Sequence, residues 1–345
     1  MLITDNQRPG VYSGYTVEGL YAAPRARRYA AVVLPGAAQA AGTVHRCSPR
    51  TPWAEALGQD SANDAIIACV RLLLNGGVPQ VLVSAVDGDL TAALALLENE
   101  DNIAAVICTA DSDADKTALL AYVEREQARL QEKIAFIGGN GTPTEAAASA
   151  KKLNHPRCCL CYPGAVGADG TEAASAFSAA ALAAAVLAAD DPVYNWNSAQ
   201  LPGLSHCERL AEEDIQALLA AGVTVLEEKA QAVRCIRAVT TKTGTAGVPD
   251  NTLRALNTVL IIDDVMRSLR ETLQARMAGR RLSPDSIRTQ AAVVLAEKQE
   301  DGILESFAVP EVYTAPEDPT VCVVEIAFRV AQVLSQIHIV AHINI

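Results

Sequence analysis

The chain has 345 residues, half of them apolar and 4% aromatic, with 28 Lys and Arg against 40 Asp and Glu. That length accommodates two domains and a sizeable core, and the apolar content excludes a disordered polymer. A formal net charge of -12 excludes the whole molecule as a nucleic-acid ligand and leaves a locally cationic face as the place for an acidic partner.

In chain order, residues 1–28 lack helical periodicity. Their opening letters, MLITDNQRPGVY, show no charged-then-apolar export pattern, so no signal peptide is expected. Pro9 and Gly10 punctuate, and an extended strand is expected after them. From residue 29 short apolar runs alternate with helical patterns. Strands are expected at 30–34, 80–86, 103–109, 133–138 and 157–162, and helices at 60–74, 89–98, 115–131 and 144–153. Fully apolar strands between amphipathic helices imply a parallel sheet covered on both faces, a doubly wound Rossmann-like α/β domain over 29–190. The longest apolar run, 173–189, is mainly Ala and too weakly lipophilic for a bilayer, so it reads as a buried helix and no membrane insertion is expected.

An α+β domain is expected over 191–335. It contains a loop at 192–203, a helix at 208–221, strands at 223–227 and 233–239, a Gly/Thr-rich loop at 240–249, a long helix at 253–277, a helix starting at Ser283-Pro284, and strands at 303–309 and 321–330. On the long helix Leu256, Leu260, Met266, Leu269 and Leu273 share a face, with Arg267 and Arg270 off it. Residues 336–345 close the chain as a hydrophobic strand carrying Ile337, Ile339, Val340, Ile343 and Ile345.

Gly138-Gly139-Asn140-Gly141 follows a strand and precedes a helix, yet the third glycine of a dinucleotide fingerprint is replaced by Pro143 and the strand is not the first, so a Gly-rich turn is the expected reading. Cys158, Cys159 and Cys161, near His155, lack ligand-pair spacing. Strand alternation sends Cys158 to the face opposite Cys159 and Cys161, so small buried hydrophobes are expected rather than a metal site. The nine cysteines read as reduced, buried thiols. His338 and His342 would stand about 13 Å apart on a strand. No nucleophile, paired-acid or phosphate-loop motif stands out; no catalytic residue, cofactor or metal is expected.

Charge is more informative. Between Arg234 and Arg288 there are ten Lys and Arg against five Asp and Glu. This basic stretch is either a solvated helix face or a contact for an acidic partner, which would set register more than affinity. Both chain ends read as strands outside the periodic regions. A hydrophobic edge strand is an aggregation hazard in a monomer, but a nine-residue arm spans roughly 30 Å and can add to a neighbour's sheet. Such a head-to-tail contact builds rings or helical filaments. The alternative is pairing of both ends within their own domain.

At this point the sequence resembles the contractile tail sheath family of phages, tailocins and related injection systems. Arg8-Pro9-Gly10-Val11-Tyr12 resembles the family's N-terminal arm. The Ala-rich helix with Asp190-Asp191 and Val193-Tyr194-Asn195-Trp196-Asn197 is similar to its helix and following loop. Residues 220–226 and 233–241 are similar to its next helix-end and strand, and the C-terminal order of long helix, second helix, strands and terminal strand matches. The resemblance implies a structural subunit, not an enzyme, that polymerises with itself around an inner tail tube protein. It also implies baseplate and terminator or cap proteins as partners, assembly in the bacterial cytoplasm, and a place in a virion tail or released tail-like particle. Neighbouring subunits would exchange arms through Pro9, Gly10, Val11, Tyr12 and the C-terminal isoleucines and valine. Contraction would drive the tube through a target envelope. The basic stretch makes Arg254, Arg267, Arg270, Arg276, Arg280 and Arg281 the candidates for gripping the tube. A Rossmann-like nucleotide-binding enzyme and another self-assembling shell protein are the alternatives.

Overall fold

A computed structural model describes residues 28–58, 60–168, 170, 175–189, 191–277, 283–318 and 320–333. Apart from Arg28, the expected N-terminal arm lies outside the described residues, as do the C-terminal arm and Arg280 and Arg281. The first half alternates strands and helices: β1 (Tyr29–Val33), β2 (His45–Cys47), α1 (Trp53–Leu57), α2 (Asp64–Asn75), β3 (Val81–Val83), α3 (Leu90–Leu96), β4 (Ile103–Cys108), α4 (Asp113–Ala128), β5 (Ile134–Gly138), α5 (Pro143–Leu153) and β6 (Cys158–Tyr162). Next come β7 (Ala165–Gly167), α6 (Ala176–Ala188), β8 (Ala199–Gln200), β9 (Leu204–Cys207), α7 (Glu212–Ala220), β10 (Val223–Lys229) and β11 (Ala232–Arg237). The rest comprises the hairpin β12 (Gly244–Thr245) and β13 (Val248–Pro249), helices α8 (Leu256–Met277) and α9 (Pro284–Glu300), and strands β14 (Leu304–Phe307), β15 (Glu311–Thr314), β16 (Cys322–Glu325) and β17 (Phe328–Val330).

Nine strands form one mixed sheet in the order β2-β3-β1-β4-β5-β6-β10-β11-β8. From β3 to β10 every pairing is parallel, while β2, β11 and β8 join antiparallel at the margins. The strand residues divide by parity. Ala30, Val32, Ile107, Phe136 and Cys159 face a core built with α2 and α6. Ala31, Val33, Val106, Ile137 and Cys158 face a second core built with α3, α4, α5 and α7. Burial on both faces is why these strands read as continuous apolar runs and not as alternating ones. The alanines of α6 let that helix lie close to the sheet. At Gly138, a Cβ would come within 2.3 Å of the Ser175 backbone, so the glycine there serves close packing.

The sheet runs across residue 190, the boundary expected between domains: β8, β10 and β11 lie beyond it yet hydrogen-bond into the same sheet. The strand expected at 321–330 is two strands, because the chain leaves β15 at Ile326 and Ala327 and crosses to β14. β15 itself was not anticipated.

A third, smaller core joins Ile261, Val265 and Leu269 of α8 to Ala291, Val294 and Leu295 of α9 and to Ile303 and Leu304. The apolar face of α8 is therefore turned from the expected one. Leu256 and Leu269 are buried, Leu260 and Leu273 are half-buried, and Met266 is exposed. The helix has two sets of neighbours, and Asp263 and Asp264 are buried beside its apolar stripe. Ser283 caps α9 by accepting a hydrogen bond from the Ser286 N–H at 3.2 Å, with Pro284 in the first turn, the start signal that the sequence carries.

Candidate assembly surface

The C-terminal strands make two separate ribbons, β14 with β17 and β15 with β16. A two-stranded ribbon leaves one backbone edge of each strand without a strand partner among the described residues. Such ribbons are marginal alone and draw their stability from what they pack on. Here Phe307, Val324, Phe328 and Val330 lean half-buried on the third core, while Val309, Tyr313 and Val321 are exposed, Val309 to 72%. Open edges beside exposed β-branched and aromatic side chains have the geometry that accepts an added strand.

The arginines expected to act together are divided by the fold. Arg254 is tied to its own chain: its guanidinium donates to the Leu219 carbonyl and, at 3.3 Å, to Asn251 Oδ1. Burial, and after it the neighbouring Arg237, lowers its pKa. Arg270 lies 2.7 Å from the Glu132 carboxylate. Arg267 is half-buried beside a cleft and Arg276 is exposed. The cleft, of about 360 Å³, opens between α8 and the turn joining α4 to β5, with Arg28, Arg129 and Lys298 also on its walls.

Sequence reasoning missed the residues that seat α8. Arg157, in the turn just before β6, makes a bidentate pair with Asp263, its two nitrogens donating at 2.7 and 2.6 Å. Burial works against this charged guanidinium, but the Asp263 bonds outweigh it and raise its pKa. Asp264 holds Lys298 at 2.5 Å and Arg28 at 3.5 Å. The available signal was two adjacent acids inside the apolar run Leu260-Ile261-Ile262-Asp263-Asp264-Val265, since buried carboxylates require partners.

The Gly-rich turn is closed by its own side chains. The Glu145 carboxylate accepts from the Thr142 N–H at 2.7 Å and the Thr142 hydroxyl at 2.9 Å. The Thr142 hydroxyl in turn accepts from the Glu145 N–H at 3.3 Å, completing a capping box. The backbone hydrogen bond, then the hydroxyl, holds the Glu145 pKa below its usual value. Asn140 donates to Asp111 at 2.8 Å and accepts from Ser175 at 2.5 Å. A carboxylate thus stands at the α5 N-terminus, the kind of position at which helices in general receive anions. Cys158, Cys159 and Cys161 are fully buried, Cys158 in the core opposite the other two. His155 stands 3.9 Å from Glu124, and His206 pairs with Glu228 at 2.5 Å. Among the described residues no group of His, Cys, Asp and Glu is disposed to hold a metal, and no helix is long and apolar enough to cross a membrane.

No protein-family model matches the chain. Over 206 residues it is 29% identical to the tail sheath protein of Bacillus phage SP01, a match covering 56% of this chain and 35% of that protein. The chain therefore spans about a third of the length of this curated relative. Its fold is that of solved sheath proteins. The sheath of an extracellular contractile injection system, PVC, in the contracted state superposes with a TM-score of 0.73 at 14% identity, covering 98% of each chain. The contracted helical sheath of the anti-feeding prophage gives 0.68 at 14% identity, covering 98% of this chain and 99% of that one. A sheath tail protein from Listeria innocua gives 0.67 at 13% identity, covering 89% and 92%.

Proposed function

We propose that this chain, a relative of the contractile tail sheath proteins, is the repeating subunit of a contractile sheath that polymerises around an inner tube and shortens to drive the tube through a target envelope. The observation that carries the reading is the agreement of fold over 98% of both this chain and a contracted sheath subunit. The C-terminal ribbons support it, because their edges are suited to receive strands from other subunits. In this reading the doubly wound, Rossmann-like body is a rigid block. The arms, residues 1–28 with Pro9, Gly10, Val11 and Tyr12, and residues 336–345 with Ile337, Ile339, Val340, Ile343 and Ile345, lend strands to neighbouring ribbons. Backbone pairing keeps copies connected while the bodies rotate as units. The stored energy is that of the assembled lattice.

The tube grip falls to Arg267 and Arg276, which have no partner among the described residues, with Arg280 and Arg281 next to them in sequence. Arg254 and Arg270 are occupied within the subunit. Exposed ionic contacts of this kind are screened by salt and can release. Baseplate and cap proteins would bound the polymer, assembly would occur in the bacterial cytoplasm, and the product would be a virion tail or a released tail-like particle.

Electron microscopy of the purified protein at high concentration tests the reading: hollow tubes are expected, and closed shells or flat sheets would refute it. Deleting residues 336–345 should leave a folded chain that no longer forms tubes. Arg267→Glu with Arg276→Glu should weaken co-assembly with tube protein while leaving self-assembly intact.

A further inference from the structure

Helix α8 belongs to two cores at once, and the change comes partway along it. Leu256 and Val259 are buried in the sheet's own core, with Leu253 and Leu260 packed against it. Beyond residue 260, no described side chain of α8 enters either sheet core. Ile261, Val265 and Leu269 belong instead to the third core, with α9 and the ribbons. Apart from Val193, which packs on that core, the contacts found between this second part of α8 and the sheet unit are charged: Asp263 with Arg157, Asp264 with Arg28, and Arg270 with Glu132. A cleft of about 360 Å³ lies along the same seam.

We infer that these pairs form an ionic latch, and that the C-terminal unit pivots on the first turns of α8 when the latch opens. Three features separate a latch from an ordinary packed seam. The apolar grip lies at the pivot, with the half-buried Val193 of the loop after α6 as the one further side chain of the sheet unit that packs on the third core among the described residues, so tilting strips little hydrocarbon from its partners. The outer pair opens onto the cleft, so its ions can be rehydrated rather than stranded, and a separated pair costs far less when water can reach it. Finally, leverage grows along the helix. At 1.5 Å per residue, Arg270 stands roughly 16 Å beyond Val259 and Asp263 roughly 6 Å, so a tilt of about 10° moves them by about 3 Å and about 1 Å. The Arg270–Glu132 pair then breaks while the more deeply buried Arg157–Asp263 pair only stretches. The expected order of opening is Arg270 first, then Asp264, with Asp263 retained.

The test is a distance measurement on the full-length, dissociated chain, so its outcome does not depend on the assembly reading. Spin labels are carried by non-natural amino acids at Glu124 and Glu300, both exposed and on opposite sides of the seam; this leaves the cysteines untouched. Pulsed electron resonance then reports the distance between units. Wild type should give one dominant distance. Glu132→Gln should enlarge a second, displaced population at least about fivefold, because one partner of a latch contact is lost. Exchanging the charges, Glu132→Arg with Arg270→Glu, should return the wild-type distribution. Raising salt to about 1 M on the wild type should shift it in the same direction as Glu132→Gln, since the outer pair is screened. An unchanged distribution in both Glu132→Gln and high salt overturns the latch. So does a Glu132→Gln chain whose distances broaden only in parallel with loss of helical circular dichroism, because the pair is then a staple of overall stability.

Discussion

Strand β1 buries four of its five residues between helices on both sides, whereas the four-residue β15 buries only Val312. The two strands stand for two ways of making a β-structure. In the large sheet every central strand is paired on both edges and covered on both faces, so its stability is internal and apolar. In the C-terminal unit each strand is paired on one edge among the described residues and is half covered, and the unit meets the sheet through ions as much as through hydrocarbon. The first arrangement needs nothing from outside. The second leaves backbone edges without strand partners among the described residues and a seam held largely by ions, and it is the part on which the proposed assembly depends.

That contrast can be broken by mutation. Phe136, fully buried in the sheet, should cost about 3–5 kcal/mol when cut to alanine, seen as an earlier main transition in denaturant unfolding. A much smaller loss would mean the sheet core is not the dominant store of stability. Arg157→Met strands Asp263 and should cost about 3 kcal/mol. Arg157→Met with Asp263→Leu should recover a large part of it, and failure to recover would assign the loss to packing and not to the charge. Alkali should act on the sheet unit through its thiols. Burial raises Cys69 and Cys108 from 9.0 to about 12. The folded chain therefore keeps protons that the unfolded chain releases. Stability is full below pH 9 and declines as pH rises from 9 towards 12, by about 1.4 kcal/mol per thiol per pH unit. Urea midpoints at successive pH values, in the presence of a reductant, would show it, and a flat profile from pH 8 to 10.5 would count against it. Least of all, Ser283→Ala removes the α9 cap and should cost about 1 kcal/mol. Its effect should appear as faster hydrogen exchange in α9 and the ribbons, with β4 to β6 unmoved. Equal acceleration in the sheet would show the two units to be one cooperative block.

The large sheet was legible because it obeys local rules. Continuous apolar runs such as Ile134–Gly138, short and alternating with helical patterns, read as strands buried on both faces, and Ser283-Pro284 announces a helix start through its cap. The alternation of Cys158 against Cys159 and Cys161 was legible for the same reason. The ribbons were not. Residues 321–330 read as one strand because nothing in their composition marks the switch of partner at Ile326, and β15 has too little apolar character to stand out. The continuation of the sheet beyond residue 190 was hidden because β10 joins β6 from more than sixty residues away in sequence, and pairing across such a distance leaves no local trace. Among the arginines, sequence gave the charge but not the neighbour. Glu132, which occupies Arg270, lies 138 residues away.

The carboxylate of Glu145 has a consequence of its own. By folding back onto Thr142 it acts as a counter-ion supplied in advance and covalently attached, so the concentration of free phosphates around the molecule has nothing to titrate at that point. Because this counter-ion is covalently attached it cannot be diluted away, so the first turn of α5 is satisfied whatever free anions surround it.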